Sequence, residues 1–294
     1  QPEVVVRFGA VPTIKWLNEW LNEWLDRETT DDGRQTTTRN SQFASFQIHI
    51  RADGVWSDDS HRVGHYVQAD EALTCRALAQ RNDRSASGWT RQLLATEERF
   101  WSTALASLHE EWFDVAAVAA LIDALPDGCS LFLGNSLPIR HADQFARPST
   151  RRIRVYGNRG ASGIDGVTSS ALGVAAAEPS TPTVLLIGDI SFYHDLNGLL
   201  AVKQQRLENV TIVLLNNDGG SIFRRLPIAG QEPAFTRLFL TPHGLNFEPV
   251  IRMYGLDYTQ ADSREQLENA LAASIHSRTP TVIEVRADGA RDEE

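Results

Sequence analysis

The chain has 294 residues, 42% of them apolar and 22% charged, the balance of a soluble globular protein of one large or two ordinary domains. With 28 Lys plus Arg against 38 Asp plus Glu, a net charge of −10 excludes overall attraction to nucleic acid or an anionic membrane, so any anionic ligand must be gripped by local features. Two cysteines, Cys75 and Cys129, exclude a disulfide framework or a Cys-based zinc site and suit a reducing, cytoplasmic setting; the apolar stretch 115–122 falls far short of the ~18 residues of a membrane-spanning helix.

The first residues, Gln1-Pro2-Glu3 then Val4-Val5-Val6, show neither an initiator Met nor a leader pattern and read as a piece of something longer. All seven tryptophans (Trp16, Trp20, Trp24, Trp56, Trp89, Trp101, Trp112) lie in the first 112 residues, which implies at least two regions. Residues 4–8 read as a short buried strand. Pro12 then opens a helix in which Trp16, Trp20 and Trp24 recur every four residues beside Leu17, Leu21 and Leu25, the period of a packing stripe. Residues 29–41 are polar and aperiodic, a loop. Residues 43–50 and 65–67 read as strands around a turn at Gly54, and 71–80 as a helix. The Ser-, Asp- and Arg-rich run 82–88 is the expected linker. It divides an incomplete α/β domain, 1–87, from a second domain, 88–294.

Beyond it, 89–108 and 113–125 read as helices. Strands at 130–133, 153–156, 183–187, 210–215 and 281–285 then alternate with helices at about 137–145, 169–177, 192–205, 249–254 and 263–276. Unbroken runs such as Val184-Leu185-Leu186-Ile187 and Ile212-Val213-Leu214-Leu215 suit strands covered on both faces. The expected fold is α/β, a doubly wound, mostly parallel sheet.

In such a sheet ligands bind beyond the carboxyl ends of the strands. Four loops there are unusual: Gly134-Asn135-Ser136, the run Asn158-Arg159-Gly160-Ala161-Ser162-Gly163-Ile164-Asp165-Gly166, Gly188-Asp189-Ile190, and Asn216-Asn217-Asp218-Gly219-Gly220. Singly, each is ordinary turn and helix-cap chemistry. Together they offer a carboxylate from Asp189, an amide oxygen from Asn217, and at Gly219 a backbone carbonyl that no Cβ obstructs. That is half of an octahedral oxygen shell, which suits a magnesium ion whose other positions go to water and phosphate. A helix starting near Ser191 and the glycine-rich backbone after Asn217 would offer N–H groups to phosphate oxygens. The sequence has no G-x-x-x-x-G-K-[ST] loop and no clear G-x-G-x-x-G, which disfavours P-loop nucleotides and dinucleotides. A magnesium diphosphate is the expected ligand.

These residues carry a resemblance. Gly188-Asp189, with Asn217 28 residues after the Asp, resembles the magnesium and thiamine diphosphate (ThDP) motif of ThDP-dependent enzymes. The 158–166 run, Gly134-Asn135-Ser136-Leu137-Pro138-Ile139-Arg140 and Thr241-Pro242-His243-Gly244-Leu245 resemble signatures of one branch, the 2-succinyl-5-enolpyruvyl-6-hydroxy-3-cyclohexene-1-carboxylate synthases of menaquinone biosynthesis. The resemblance runs from Val4 to about Val285, and the 158–166 run is its most specific part. Ile190 stands where the general motif carries Gly; an apolar residue there is typical of the branch.

The resemblance implies a ThDP-binding fold with 88–294 as its diphosphate domain. ThDP would be held by Ile164, Gly188, Asp189, Ile190, Asn217, Gly219, Gly220 and Ile222, and Mg2+ by Asp189, Asn217 and Gly219. The implied reaction decarboxylates 2-oxoglutarate and adds the four-carbon fragment to isochorismate, with Lys15, Ser136, Arg140, Arg159 and Phe223 at the substrates. Only two of the 28 basic residues are Lys (Lys15 and Lys203), so guanidinium forks are the main carboxylate grips. Ile164 would brace the bend between the cofactor's two rings, and Ile222 and Phe223 would keep the reacting centre dry. In the branch the catalytic glutamate lies on an N-terminal pyrimidine-binding domain. On this resemblance 1–294 is the C-terminal portion, contains no catalytic residue of its own, is inactive alone, and works in a homo-oligomer with that domain. Two other readings stay open: another ThDP enzyme, such as an acetohydroxyacid synthase or simple 2-oxoacid decarboxylase, and a non-catalytic assembly fragment. His194, Asp195 and His243 lie in family-like segments without an assigned role.

Overall fold

The computed structural model describes residues 4–11, 15–27, 46–58, 61, 63–81 and 85–287, with backbone alone for 15, 16, 24–27 and 46. They fall in two compact units, Gln1–Thr96 and Glu97–Glu294. The expected loop 29–41 and part of the expected linker, 82–84, lie outside the described residues.

In the first unit β1 (Val4–Phe8), β2 (Phe46–Arg51) and β3 (Val63–Gln68) form a parallel sheet in that order. Helix α1 spans Lys15–Arg27 and α2 spans Glu71–Gln80. Asp70 caps α2 by accepting the Leu73 N–H at 2.7 Å, which satisfies one of the first-turn donors. Two expectations are corrected. Residues 4–8 do form a strand, but its side chains alternate between exposed and half-buried, so it is covered on one side only. Within the tryptophan stripe of α1, Leu21 is buried whereas Trp20 is exposed; Trp16 and Trp24 have side chains outside the described residues.

A long helix, α3 (Gly88–Glu110), and α4 (Asp114–Ala124) precede the second sheet. Its strands are β4 (Ser130–Leu133), β5 (Arg154–Tyr156), β6 (Thr183–Gly188), β7 (Val210–Asn216), β8 (Asp257–Gln260) and β9 (Thr281–Arg286). They pair in parallel in the order β5-β4-β6-β7-β9-β8. The apolar runs divide by the two-residue period of the pleat. Val184 and Leu186 of β6, with Val213 and Leu215 of β7, pack beneath α4, α5 (Leu137–Phe145) and α10 (Arg264–Ser277). Leu185, Ile187, Ile212 and Leu214 face α6 (Val167–Ala177), α7 (Asp189–His194), α8 (Leu200–Gln205) and α9 (Glu248–Met253). Both faces are therefore covered, and each fully buried Leu or Ile contributes about 1.5–3 kcal/mol of hydrophobic stabilisation.

The sheet differs from expectation in two places. Strand β8, Asp-Tyr-Thr-Gln, is a polar edge strand without an apolar run to announce it. The helix expected over 192–205 is three pieces: α7, a 3-10 turn at Leu196–Leu199, and α8. The break falls at Asp195, whose carboxylate turns aside to accept the Ser169 N–H at 2.6 Å and pairs with Ser169 Oγ at 2.9 Å. Among the described residues no helix is long and apolar enough to cross a membrane.

The strand order positions the site. From β4 the chain passes to β5 on one side and then returns past β4 to β6 on the other. The carboxyl ends of β4 and β6 thus flank the point where the winding reverses, and a crevice opens there.

Candidate functional site

At that crevice lies a cavity of about 150 Å³, mostly apolar in lining. Asn135, Ser136, Leu137 and Pro138 enter it after β4, Gly188, Asp189 and Ile190 after β6, and Asn217, Gly219 and Gly220 after β7. Ile164 comes from the loop after β5; Ile222 and Phe223 come from a 3-10 turn, Ser221–Arg225. Of the residues expected at a ligand, Ser136, Ile164, Gly188, Asp189, Ile190, Asn217, Gly219, Gly220, Ile222 and Phe223 line this one space. Arg140 and Arg159 do not line it but bond to residues that flank it. Arg140 Nη1 donates to the Ser136 carbonyl at 2.7 Å, and Arg159 Nη1 donates to Asn135 Oδ1 at 2.8 Å. Lys15 opens α1, and its side chain lies outside the described residues.

Asp189 is buried at the first position of α7. That helix starts two residues earlier than Ser191, and the Ile190 N–H is turned onto Asp189 itself, reaching Oδ1 at 2.7 Å. Oδ2 accepts the Gly219 N–H at 2.9 Å and faces His243 Nε2 at 3.2 Å. Burial pushes the carboxyl above the usual Asp range, while the donors on Gly219, Ile190 and His243 work the other way. Its nearest ionisable partner is an imidazole; no Lys or Arg pairs with it among the described residues.

Asn217 projects from the end of β7. Its Nδ2 donates to Asp114 Oδ2 at 2.7 Å, and its Oδ1 is buried without a hydrogen-bond partner among the described residues. Such an oxygen costs about 1–3 kcal/mol unless something else satisfies it. Gly219 sits at φ +143°, where a Cβ would strike the Leu240 carbonyl oxygen. Its own carbonyl accepts the Ser221 N–H at 3.1 Å, leaving a second lone pair. Gly220 N–H donates to the Leu240 carbonyl at 2.7 Å, which ties the loop after β7 to the π-turn Thr236–Leu240 and brings Phe239 into edge contact with Phe223.

The loop 158–166 is held from within. Asn135 is buried, and its Nδ2 donates to the carbonyls of Gly163 at 2.6 Å and Asn158 at 3.2 Å. Ser191 Oγ donates to the Ile164 carbonyl at 2.6 Å, fixing Ile164 against α7. Ser136 adopts φ +72°, a backbone state that costs a non-glycine residue about 1–3 kcal/mol and is typical of functional turns. The Arg140 guanidinium has its pKa lowered by burial and then by the charges of Arg159 and Arg225. Three cations crowd this end of the site, a field that attracts carboxylates.

Asp114, Phe239 and Thr241 also line the cavity, and strand-end reading alone misses them. Asp114 was open to discovery: a helix that precedes a parallel strand runs against it, so the first turn of α4 returns to the carboxyl edge of the sheet. Phe239 and Thr241 follow an irregular segment with no periodic signal.

The comparisons with known proteins converge on this region. The family described as thiamine pyrophosphate enzyme, C-terminal TPP binding domain, matches residues 133–285. The 2-succinyl-5-enolpyruvyl-6-hydroxy-3-cyclohexene-1-carboxylate synthase of Roseiflexus sp. (strain RS-1) is 50% identical over 292 residues, covering 99% of this chain and 47% of the relative. That of Halobacterium salinarum (strain ATCC 29341 / DSM 671 / R1) is 40% identical over 287 residues, covering 98% and 46%. The chain spans about half the length of these relatives. Among solved structures, benzoylformate decarboxylase from Polynucleobacter necessarius matches with a TM-score of 0.56 at 18% identity, over 84% of this chain and 45% of that one. The thiamine diphosphate-dependent 4-hydroxybenzoylformate decarboxylase of Rhodococcus jostii RHA1 gives 0.57 at 20% identity, over 83% and 44%. At those identities the likeness is one of fold. By its family match and the extended similarity around it, the chain belongs to the thiamine pyrophosphate enzymes and carries their C-terminal TPP-binding domain.

Proposed function

We propose that this chain is the C-terminal portion of a 2-succinyl-5-enolpyruvyl-6-hydroxy-3-cyclohexene-1-carboxylate synthase of menaquinone biosynthesis, acting in the cytoplasm as part of a homo-oligomer. Residues 88–294 form its diphosphate- and magnesium-binding domain, after a partial middle domain, 1–87. The observation that carries the cofactor reading is the pairing of a buried Asp189 carboxylate with the unpartnered, buried Oδ1 of Asn217 at one cavity. Among the described residues no group of three or more His, Cys, Asp or Glu side chains could hold a metal. A cation here would rest on a carboxylate, an amide oxygen and the Gly219 carbonyl. These are hard oxygen donors, which favour Mg2+ over softer ions. The apolar lining, with Ile164, Ile222 and Phe223, suits the ring portion of thiamine diphosphate.

Bound thiamine diphosphate supplies the electron sink for decarboxylating a 2-oxoacid. This chain's residues hold and orient. Asp189, Asn217 and Gly219 hold the cation, and Gly188, Ile190 and Gly220 leave room for the diphosphate. Ile164 supports the cofactor's bend. Ile222 and Phe223 exclude water, which strengthens every charge interaction inside the site. Arg140 and Arg159, with Ser136 and Lys15, grip the carboxylates of 2-oxoglutarate and isochorismate.

A cavity of about 150 Å³ is smaller than the roughly 300–1,000 Å³ of whole small-molecule pockets. That supports a cleft completed by the N-terminal pyrimidine-binding domain, which would also bring the catalytic glutamate. The isolated chain is then inactive and binds the cofactor weakly. Two measurements test this. Titrating thiamine diphosphate with Mg2+ into the chain should give binding that Asp189→Ala abolishes. Mixing the chain with the N-terminal part of a relative should restore CO2 release from 2-oxoglutarate in the presence of isochorismate. Equal binding by the chain and Asp189→Ala, or full turnover by the chain alone, would overturn the proposal.

A further inference from the structure

We infer that Asp114 is the positioning residue of the cation site: it turns the Asn217 amide so that the carbonyl oxygen, rather than the NH2 group, faces the metal position. The inference rests on the reading of Asp189 and Asn217 as cation ligands and goes beyond it.

The two faces of a primary amide have nearly the same shape and opposite polarity. An unconstrained Asn217 would rotate between presenting Oδ1 and presenting Nδ2 to the cavity, and only the first can coordinate a cation. Asp114 removes the choice. A carboxylate can only accept hydrogen bonds, and it is Asn217 Nδ2 that lies 2.7 Å from Asp114 Oδ2 as its donor. The opposite end, Oδ1, then points away and is left buried without a protein partner. Both residues line the same cavity as Asp189.

Helix chemistry does not account for Asp114. An acid in a helix's first turn interacts favourably with the helix dipole, but a solvated one does so without desolvation. Asp114 is fully buried, and a carboxylate carried out of water is costly unless specific donors receive it. Phe113, the residue before it, makes no side-chain cap. Its bond to Asn217 instead joins residues 103 positions apart, across the carboxyl edge of the sheet. Residues that orient metal ligands in this way typically change metal affinity by about 10–100-fold when altered.

The test uses the 294-residue chain with Asp114→Asn, Asp114→Ala, Asn217→Ala and the double variant Asp114→Asn/Asn217→Ala. The first readout needs no cofactor. The Asn217 side-chain NH2 signals in a 1H–15N spectrum, identified by their loss in Asn217→Ala, should exchange slowly in the wild type and at least about 10-fold faster in Asp114→Ala. Unchanged exchange would overturn the inference. The second readout is Mg2+ affinity in the presence of thiamine diphosphate. Asp114→Asn, isosteric but able to donate as well as accept, should weaken it about 10–100-fold, and should add nothing in the Asn217→Ala background. Additive losses would mean that Asp114 acts through general folding and would also overturn it. If neither the wild type nor Asp189→Ala takes up Mg2+ with the cofactor, the cofactor reading fails, and the exchange of the Asn217 amide still decides whether Asp114 fixes that side chain.

Discussion

His243 and Asp189, 54 residues apart, meet at 3.2 Å through Nε2 and Oδ2, and a backbone group decides which imidazole nitrogen carries the proton. The Leu245 N–H points at Nδ1 from 3.0 Å, so Nδ1 accepts and Nε2–H is free to donate to Asp189. Asp218 Oδ1, 3.4 Å from the same Nδ1, is already taken by the backbone N–H groups of His243 at 3.0 Å and Gly244 at 2.7 Å. His243 thus orients a buried carboxylate. His243→Phe keeps the ring and removes the donor. It should weaken Mg2+ uptake measured with thiamine diphosphate by about 10-fold or more and lower stability by about 1 kcal/mol. Wild-type affinity in this variant would show that the contact does not shape the site.

Two glycines at this edge predict opposite behaviour. Gly219 holds φ +143°, and an added Cβ would meet the Leu240 carbonyl oxygen, part of the backbone. Gly219→Ala should therefore cost about 1–3 kcal/mol through strain alone, with further loss as the Gly219 N–H leaves Asp189. Gly188 has φ −83° and nothing within 4 Å of a built Cβ. Gly188→Ala should unfold like the wild type in denaturant, within about 0.5 kcal/mol. If Gly188 exists to leave room for a diphosphate, cofactor affinity in Gly188→Ala falls although stability does not. A large stability loss in Gly188→Ala, or none in Gly219→Ala, would contradict this account.

The sheet of the second unit was legible because its strands are apolar on both faces. Leu185 and Leu186 needed no partner information to be read as buried, and their loops followed from the geometry of parallel strands. The edge strand β8 was not legible: its side chains are half-buried or exposed, and its place is set by pairing with β9. The break at Asp195 depends on Ser169, 26 residues earlier, a distance over which local periodicity carries no information. Asp189 and Asn217 could be read from strand ends, whereas the orientation of the Asn217 amide could not, because Asp114 reaches it from a helix that precedes the sheet.

His141 gives the chain an acid-sensitive element in α5. It is fully buried there. Burial first, and the charge of Arg225 second, lower its pKa from 6.5 to about 3. Because the folded-state value is depressed, the unfolded chain binds the proton more readily. Stability from neutral His141 is fully present above about pH 6.5 and is lost as pH falls toward about 3, at up to about 1.4 kcal/mol per unit. Asp143, with its carboxyl pKa raised by burial, has the opposite sign and gains as pH falls through the range just above 3.8. Asp53 and Asp127, lowered by Arg51 and Arg152, act only below the ordinary carboxylate range. Between about pH 4.5 and 6.5 His141 alone should lower stability by about 2–3 kcal/mol as pH falls, partly offset by Asp189, whose carboxyl is raised by burial and gains in the same direction. His141→Leu, whatever its stability at pH 7, should show a much flatter decline in denaturant titrations over that window. Parallel declines in the two proteins would mean that the imidazole is protonated in the fold and that its burial exerts no such control.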